Sequence, residues 1–251
     1  MKNLLTLLVT VVFIGGLTAQ NKNPLLIESE KGDIQIIPIL HSTMAIYFDG
    51  KVIYTDPYGG KEAFNDIKPA DLILITDIHG DHMNKETLTA LGVLNTPIVA
   101  PKAVAEQIGD EFKGISVLGN GESTQRAGVL IEAVPMYNLP ESPDSRHTKG
   151  RGNGYILTLG GKKIYISGDT EDITEMRELK DIDVAFVCMN QPYTMTVDAA
   201  ASAVLDFKPK IVYPFHYRGQ GGFSDVKKFK SLVNGVNSQI EVRLVDWYPE
   251  K

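Results

Sequence analysis

The chain has 251 residues and a net charge of −6, and 43% of its residues are hydrophobic while 22% are charged. This balance is typical of a globular domain, and the length suffices for one domain with a substantial core. The negative charge offers no basic surface to nucleic acid, so no nucleic-acid partner is expected. The single cysteine, Cys188, excludes an internal disulfide, and its apolar neighbours predict a buried thiol rather than a nucleophile.

The first residues have the pattern of a secretory signal peptide. Lys2 supplies a positive charge, residues 4–16 form an apolar run, and residues 17–20 resemble a cleavage region. The run is short for a membrane span, and an uncleaved anchor is the alternative. No cysteine follows it, which excludes lipid attachment there. We predict a signal peptide over residues 1–19 and one domain over residues 20–251. The protein is then periplasmic or secreted, with no stable membrane insertion after cleavage.

The remaining chain alternates between strand and helix patterns. Strands are predicted over residues 34–39, 44–48, 51–54, 72–76, 97–100, 114–118, 129–134, 154–159, 163–167, 182–187, 211–213 and 240–245. Helices are predicted over residues 84–91, 101–108, 197–205 and 224–233. Asn84 is a good N-cap, and Asp49-Gly50 and Gly160-Gly161 are hairpin turns.

Antiparallel strands thus come first, mixed strand and helix units follow, and the same order then repeats. Two facing sheets with helices outside would satisfy this order. The segment 138–153 is polar and rich in Gly, Pro and Ser, which predicts a long loop of functional importance.

The segment 76–82 is the most informative part of the chain. It directly follows the buried strand predicted over residues 72–76, and it contains two of the five histidines together with two aspartates. Carboxylate oxygen and imidazole nitrogen together suit zinc, manganese or iron. Asp169 and His216 also follow apolar runs, and His147 lies in the long polar loop. A fold that brought these groups together would create a metal site.

These motifs, in this order, resemble the metallo-β-lactamase superfamily. The matching segments are Asp77-Ile78-His79-Gly80-Asp81-His82, His147, Ser167-Gly168-Asp169-Thr170 and Pro214-Phe215-His216, with support from Met136-Tyr137-Asn138, Gly150 to Tyr155 and Tyr213 to Arg218. The compact metal-dependent hydrolases of the superfamily are the nearest likeness, over about residues 33–245. The resemblance implies an α/β fold, the four-layer αββα sandwich, with the site at one edge between the sheets.

The resemblance also implies two divalent metal ions, with zinc as the first choice and manganese or iron as alternatives. The first ion would be held by Asp77, His79 and His147. The second would be held by Asp81, His82 and His216, and Asp169 would bridge the two. Asp81 and Asp169 are the predicted catalytic residues. Asp81 would orient the metal-bridging hydroxide that attacks the substrate, and Asp169 would bridge the two ions that make this hydroxide available.

Asp77 departs from the superfamily's usual motif, which has histidine at this position. Its carboxylate would bring the binuclear site close to neutral, where the usual ligands leave one positive charge. We therefore expect a less acidic bound water and a shift toward harder ions such as manganese.

Eight further residues are candidates for supporting ligands or contacting substrate. Asp56 resembles the superfamily's early aspartate, which supports the metal-binding loop, and His41 is a candidate donor to the ligands. Arg218 could pair with an anionic substrate group. The remaining candidates are Tyr137, Asn138, Asn190, Tyr193 and Tyr217. For each residue the alternative is a purely structural role.

The leading interpretation is a binuclear metal-dependent hydrolase that cleaves an ester-, phosphodiester-, lactone- or amide-type bond in a small molecule. The chain has neither a Gly-x-Ser-x-Gly nucleophile elbow nor a Gly-Lys-Ser/Thr phosphate loop. The main alternative is a metal-stabilised binding or sensor protein without turnover. Redox chemistry at a di-iron site is a third possibility, and it ranks last.

Overall fold

The computed structural model describes residues 24–248, so the signal peptide predicted over residues 1–19 lies outside the described residues. The first of two large sheets contains seven strands, whose spatial order follows the chain. They are β1 (Leu25–Ile27), β2 (Ile34–Leu40), β3 (Thr43–Phe48), β4 (Lys51–Thr55), β5 (Leu72–Leu74), β6 (Ile98–Ala100) and β7 (Ile115–Val117).

The second sheet also has seven strands, and a two-stranded ribbon stands apart. The sheet contains β8 (Ser123–Arg126), β9 (Val129–Met136), β10 (Gly152–Leu159), β11 (Lys162–Ile166), β12 (Val184–Cys188), β13 (Ile211–Phe215) and, beside β13, β16 (Glu241–Val242). The ribbon pairs β14 (Arg218–Gly219) with β15 (Gly222–Phe223).

The two sheets share one plan. Each sheet has six pairs of neighbouring strands. In the chain order of the strands, the first three pairs are antiparallel and the last three are parallel. The parallel strands β5, β6 and β12 are buried throughout, because layers cover both of their faces. The antiparallel strand β9 instead mixes buried and accessible positions. The chain is therefore built as two similar halves.

Helices cover the outer faces of the two sheets. They are α1 (Lys85–Ala90), α2 (Lys102–Gln107), α3 (Thr174–Arg177), α4 (Val197–Phe207) and α5 (Val226–Val236), and Lys61–Phe64 form a 3₁₀ turn. Leu88 of α1 and Val104 of α2 belong to the same buried hydrophobic cluster as Ile73 of the first sheet. Residues of α4 and α5 belong to the core of the second sheet, which continues between the sheets. This arrangement confirms the predicted αββα sandwich.

The predicted elements are present, with differences at their ends. The strand predicted over residues 72–76 ends at Leu74, and the one over 240–245 shrinks to β16. Strand β8 was missed because its sequence, Ser-Thr-Gln-Arg, has no apolar alternation. The short elements β1, α3 and the ribbon were missed because two to four residues are too few for a periodic signal. Cys188 is fully buried, as predicted.

No helix between Pro24 and Tyr248 has the length and apolar character needed to cross a membrane. The long polar loop is present as well, because no helix or strand lies between β9 and β10. The segments that follow β4, β5, β11, β12 and β13 converge at one edge of the sandwich. The polar side chains identified in the sequence lie there.

Candidate metal centre

Seven residues predicted as ligands gather at this edge, although they are far apart in the sequence. Asp77 to His82 follow β5, Asp169 follows β11 and His216 follows β13. His147 arrives from the loop between β9 and β10. Three groups have the spacing of metal ligands, and the last two share His216: Asp77, His79 and His147; His82, Asp169 and His216; and His41, Asp81 and His216.

The first group lies on one side of the cluster. Asp77 Oδ2 is 2.5 Å from His79 Nδ1 and 3.8 Å from His147 Nε2. Asp77 and His147 are buried, while the His79 side chain is 24% exposed. The contact between Asp77 and His79 is a hydrogen bond, and His147 lies close enough for one ion to bind all three side chains in its place.

The second group is centred on His82 and His216. His216 Nε2 lies 3.3 Å from Asp81 Oδ2, and His82 Nε2 lies 3.9 Å from Asp81 Oδ1. Both imidazoles are buried, whereas the Asp81 side chain is 35% exposed. Asp81 is thus the carboxylate beside these two histidines that solvent and small molecules can reach.

Asp169 lies between the two groups and faces both. Its Oδ2 is 3.4 Å from His147 Nε2, while its Oδ1 is 3.5 Å from His82 Nε2 and 3.4 Å from His216 Nε2. Two ligand atoms that bind the same tetrahedral zinc ion lie about 3.3 Å apart. Among the described residues, His82 Nε2, His147 Nε2 and Asp169 Oδ1 are buried without a hydrogen-bond partner. Metal ions would satisfy these atoms, so the donor set fits the cofactor.

Neighbouring side chains orient the imidazoles. Asp56 Oδ2 lies 2.8 Å from His82 Nδ1, which leaves His82 Nε2 facing the cluster. Asn138 Oδ1 lies 3.1 Å from His147 Nδ1 and does the same for that ring. Asn190 Nδ2 donates to Asp169 Oδ2 at 3.0 Å. Outer contacts of this kind fix the tautomer and direction of metal-binding side chains.

The cluster has the electrostatics of a cation site. Burial would raise the pKa of the Asp77, Asp81 and Asp169 carboxyls, but the surrounding histidines hold all three pKa values below the usual range. Burial would likewise lower the pKa of His82, but Asp169, Asp56 and Asp81 raise it well above its ordinary value. Burial lowers the pKa of His147 to about 4. The three carboxylates therefore favour their negatively charged form, which suits the binding of a cation.

Backbone strain is concentrated at this edge. His41, Asp56 and His216 have φ values of 55°, 43° and 44°, in the left-handed region that residues other than glycine rarely adopt. Such conformations persist where the surrounding structure imposes them, and they are frequent at functional sites.

His41 lies beside the cluster, yet its ring is engaged elsewhere. Arg218 Nη2 donates to His41 Nε2 at 2.7 Å, and the Tyr248 hydroxyl lies 3.2 Å from His41 Nδ1. Arginine only donates, so Nε2 must accept and Nδ1 carries the proton. Burial, His216 and Arg218 lower the pKa of His41 to about 3. His41 is therefore a neutral neighbour of His216, with ring centroids 5.1 Å apart.

The structure does not bring all predicted side chains to the cluster. The Tyr137 hydroxyl donates to Glu175, and the Tyr217 hydroxyl donates to the carbonyl of Val245 in the core. Tyr193 offers its backbone carbonyl to Asn138, and its ring lies under Arg146 at 4.4 Å. The hydroxyls of Tyr137 and Tyr217 are therefore engaged by partners other than the predicted ligands.

Sequence reasoning missed Arg151, Thr76 and Tyr248 as members of the site. Arg151 Nε and Nη2 donate to the two oxygens of Asp77 at 3.2 and 3.1 Å. Thr76 donates to Asp56 through its amide and its hydroxyl at 2.8 and 2.7 Å. Arg151 stands four residues after His147 within the matched segments, and this proximity was the available signal.

A sandwich of two mixed sheets with carboxylates and imidazoles gathered at one edge defines the metallo-β-lactamase class of fold. A family model described as a beta-lactamase superfamily domain matches residues 35–216. A UPF0173 metal-dependent hydrolase of Pyrococcus abyssi is 37% identical over 201 residues, which cover 75% of this chain and 88% of that protein. The chain therefore belongs to the β-lactamase superfamily and, within it, to the UPF0173 metal-dependent hydrolases.

Solved structures agree with this assignment. A candidate metal-dependent hydrolase from Parabacteroides distasonis is 39% identical and has a TM-score of 0.78, and the match covers 88% of this chain and 97% of that one. Igni18, a metallo hydrolase from Ignicoccus hospitalis, is 24% identical with a TM-score of 0.72, covering 85% of this chain and 95% of its own. The second likeness concerns the fold alone.

Proposed function

We propose that the protein is a binuclear metal-dependent hydrolase acting on a small molecule. One ion would be held by Asp77, His79 and His147, and the other by Asp81, His82 and His216. Asp169 would contribute to both positions. The observation that carries the proposal is the placement of Asp169, whose two oxygens face different histidine groups at 3.4 to 3.5 Å.

Two bound divalent ions would supply Lewis acidity and a water that loses its proton near neutral pH. The protein's own groups then set the reaction geometry. Asp81 is the accessible carboxylate of the cluster, so we propose that it orients the attacking water and holds its proton. Asn190 keeps Asp169 aligned by donating to Oδ2. The buried imidazoles need no role beyond ligation.

The surface around His41 supports an anionic or polar substrate. Arg218 is exposed, and its guanidinium lies 4.9 Å over the Tyr248 ring, so its position is fixed. It stands beside His41 and close to His216. We propose that Arg218 binds an anionic group of the substrate, while an ester, phosphodiester, lactone or amide bond lies at the metal centre.

Metal content tests the proposal most directly. Elemental mass spectrometry of protein purified without chelator should find about two zinc, manganese or iron ions per chain. Asp169→Asn should lose at least one of them. Asp183→Asn is the matched control, because Asp183 is also largely buried but pairs with Lys210 far from the cluster. Equal metal content in Asp169→Asn and the wild type would contradict the bridging role.

Turnover separates the hydrolase from a metal-stabilised binding protein. The metal-loaded protein should hydrolyse at least one class in a panel of chromogenic esters, phosphodiesters, lactones and amides. Loss of that activity in Asp81→Asn, measured at metal concentrations high enough to keep both ions bound, would assign Asp81 a role beyond ligation. A panel without turnover, using fully loaded protein, would favour the binding protein.

We also propose that residues 1–19 direct export and are removed, which places the mature protein in the periplasm or outside the cell. N-terminal sequencing of the protein from its native host, after fractionation, tests this. A mature N-terminus near residue 20 in the exported fraction is expected. Intact Met1 in the cytosolic fraction would contradict it.

A further inference from the structure

Asp77 and Arg151 form a bidentate ion pair at the one position where the ligand motif departs from the superfamily pattern. Arg151 Nε donates to Asp77 Oδ1 at 3.2 Å, and Nη2 donates to Oδ2 at 3.1 Å. The Asp77 side chain is fully buried, and that of Arg151 is 18% exposed. Parallel hydrogen bonds of this kind fix the plane of a carboxylate as well as its distance.

The backbone around the pair is fixed by contacts between the sheets. Asn153 N donates to the carbonyl of Thr76 at 2.9 Å, and the Tyr155 hydroxyl donates to the carbonyl of Ile75 at 2.8 Å. The residue between Arg151 and Asn153 is Gly152, where a Cβ would lie only 2.9 Å from the Thr76 carbonyl oxygen. The close approach of the segment after β5 to the start of β10 therefore places Arg151 beside Asp77.

The ion pair leaves Asp77 able to bind a metal. Oδ2, which accepts from Arg151 Nη2, is also the oxygen 2.5 Å from His79 Nδ1 and 3.8 Å from His147 Nε2. A carboxylate oxygen has two lone pairs, and those of Oδ2 face Arg151 Nη2 and His79 Nδ1. A metal ion bound by Asp77 and His79 would take the place of the hydrogen bond between them, and the bond from Arg151 could remain. Oδ1 accepts from Arg151 Nε.

Charge gives the pair its significance. Asp77 adds one negative charge where the superfamily usually has a neutral histidine. The Arg151 guanidinium adds one positive charge in direct contact with it. The pair as a whole is neutral, as a histidine would be. The sequence alone predicts a nearly neutral site because it shows the negative charge of Asp77 but not its contact with Arg151.

We propose that Arg151 is a positioning residue that lets Asp77 act in place of the usual histidine. It aims Oδ2 at the first metal position and cancels the charge that the carboxylate brings. This inference rests on the proposed binuclear site, and it adds a residue that the ligand motif does not contain. Asp77 and Arg151 then work as one unit, so their substitutions must affect metal binding non-additively.

A double-mutant cycle on metal affinity tests the unit. Wild type, Arg151→Gln, Asp77→His and the double variant are stripped of metal and titrated with Zn²⁺ and with Mn²⁺ by calorimetry. In the wild-type background, Arg151→Gln should weaken one of the two binding events by about 10- to 100-fold and leave the other unchanged. In the Asp77→His background, the same change should cause no further loss, because histidine needs no charge partner.

Two further variants guard the interpretation. Arg146 belongs to the same loop, and its guanidinium lies against the Tyr193 ring. Arg146→Gln therefore removes a cation from this loop, and it should leave the affinities for both metal ions unchanged. Arg151→Lys keeps the charge but not the planar fork, so it should lose affinity although it retains the positive charge. Circular dichroism confirms folding of each variant. If Arg151→Gln does not fold, Arg151→Lys carries the test.

The outcomes distinguish this inference from the proposed function. A wild type that binds fewer than two ions would overturn the binuclear site and the inference with it. A wild type that binds two ions, with Arg151→Gln and Arg151→Lys equal to it, would overturn the inference alone. An equal loss from Arg151→Gln in the wild-type and Asp77→His backgrounds would also overturn it, since Arg151 would then act independently of Asp77.

Discussion

The Asp56 carboxylate lies 2.8 Å from His82 Nδ1, at the bottom of the metal centre. Thr76 donates to the same carboxylate through both its amide and its hydroxyl, and Asp56 itself adopts a left-handed backbone conformation. Asp56 therefore connects the loop that follows β4 to the loop that carries the ligand motif. Its position makes the direction of the His82 ring a property of the fold.

Asp56→Asn should weaken binding of the ion assigned to His82 by about 10- to 100-fold, because the amide cannot accept from Thr76 and His82 as a carboxylate does. Titration with Zn²⁺ measures the effect. Asp71→Asn is the matched control, since Asp71 accepts from the amide of Val52 near the other end of β4. Unchanged zinc affinity in Asp56→Asn would show that His82 is oriented by other contacts.

His41→Asn should retain two metal ions per chain. His41 belongs by distance to a possible ligand group with Asp81 and His216, but its Nε2 already accepts from Arg218. Asparagine tolerates the left-handed backbone at this position, so the substitution is mild. Elemental analysis of His41→Asn beside His82→Ala provides the comparison, and His82→Ala should lose an ion. An ion lost from His41→Asn would make His41 a ligand.

Gly152→Ala should destabilise the protein by about 1–3 kcal/mol, because the added methyl would press on the Thr76 carbonyl and on Met136. Urea unfolding measures the free energy. Gly235→Ala is the contrasting change, because this helical glycine of α5 has nothing within 4 Å of an added Cβ. It should stabilise by about 0.5–1 kcal/mol. Equal effects of the two substitutions would contradict the close approach of the sheets at Gly152.

Asp183 should contribute stability that acid removes. Burial would raise the pKa of Asp183, but hydrogen bonds from Lys210 and from the amide of Lys163 hold this pKa below its usual range. A lowered folded-state pKa stabilises above the unfolded value of about 3.9, and the benefit disappears as pH falls through the folded-state value. Asp183→Asn should therefore cost about 1 kcal/mol at neutral pH, and this cost should shrink on acidification.

Unfolding free energies of the two proteins between about pH 6 and about pH 3 test this linkage. The wild-type protein and Asp183→Asn should converge toward the acidic end of the range. A difference that stays constant with pH would assign the effect to packing or to hydrogen bonding that is independent of ionisation.

The fold followed from the sequence because its strands are apolar and its turns carry glycine or aspartate. Leu72–Leu74 and Val184–Cys188 are continuous apolar runs, and Asp49 and Gly50 both adopt the positive φ that their hairpin requires. Polar strands such as β8 carry no such signal, and only pairing with β9 makes Ser123–Arg126 extended. Local pattern therefore predicts the layers better than the edges.

The candidate site divides in the same way. His79, His147 and Asp169 could be selected as ligands because their order matches a known motif. The contact between Arg151 and Asp77 spans 74 positions, and it depends on the register of β10 against the chain before Asp77. The hydroxyls of Tyr137 and Tyr217 likewise point to Glu175 and Val245 for reasons of packing that no local pattern contains.

The two similar halves of the chain each supply only part of the metal centre. Asp77, His79, Asp81 and His82 come from the first half, whereas His147, Asp169 and His216 come from the second. Neither half can hold either ion with its full proposed set of ligands. Bound metal would therefore cross-link the two halves of the sandwich. Removal of the metal by a chelator would then weaken the association of the two halves, as well as stopping catalysis.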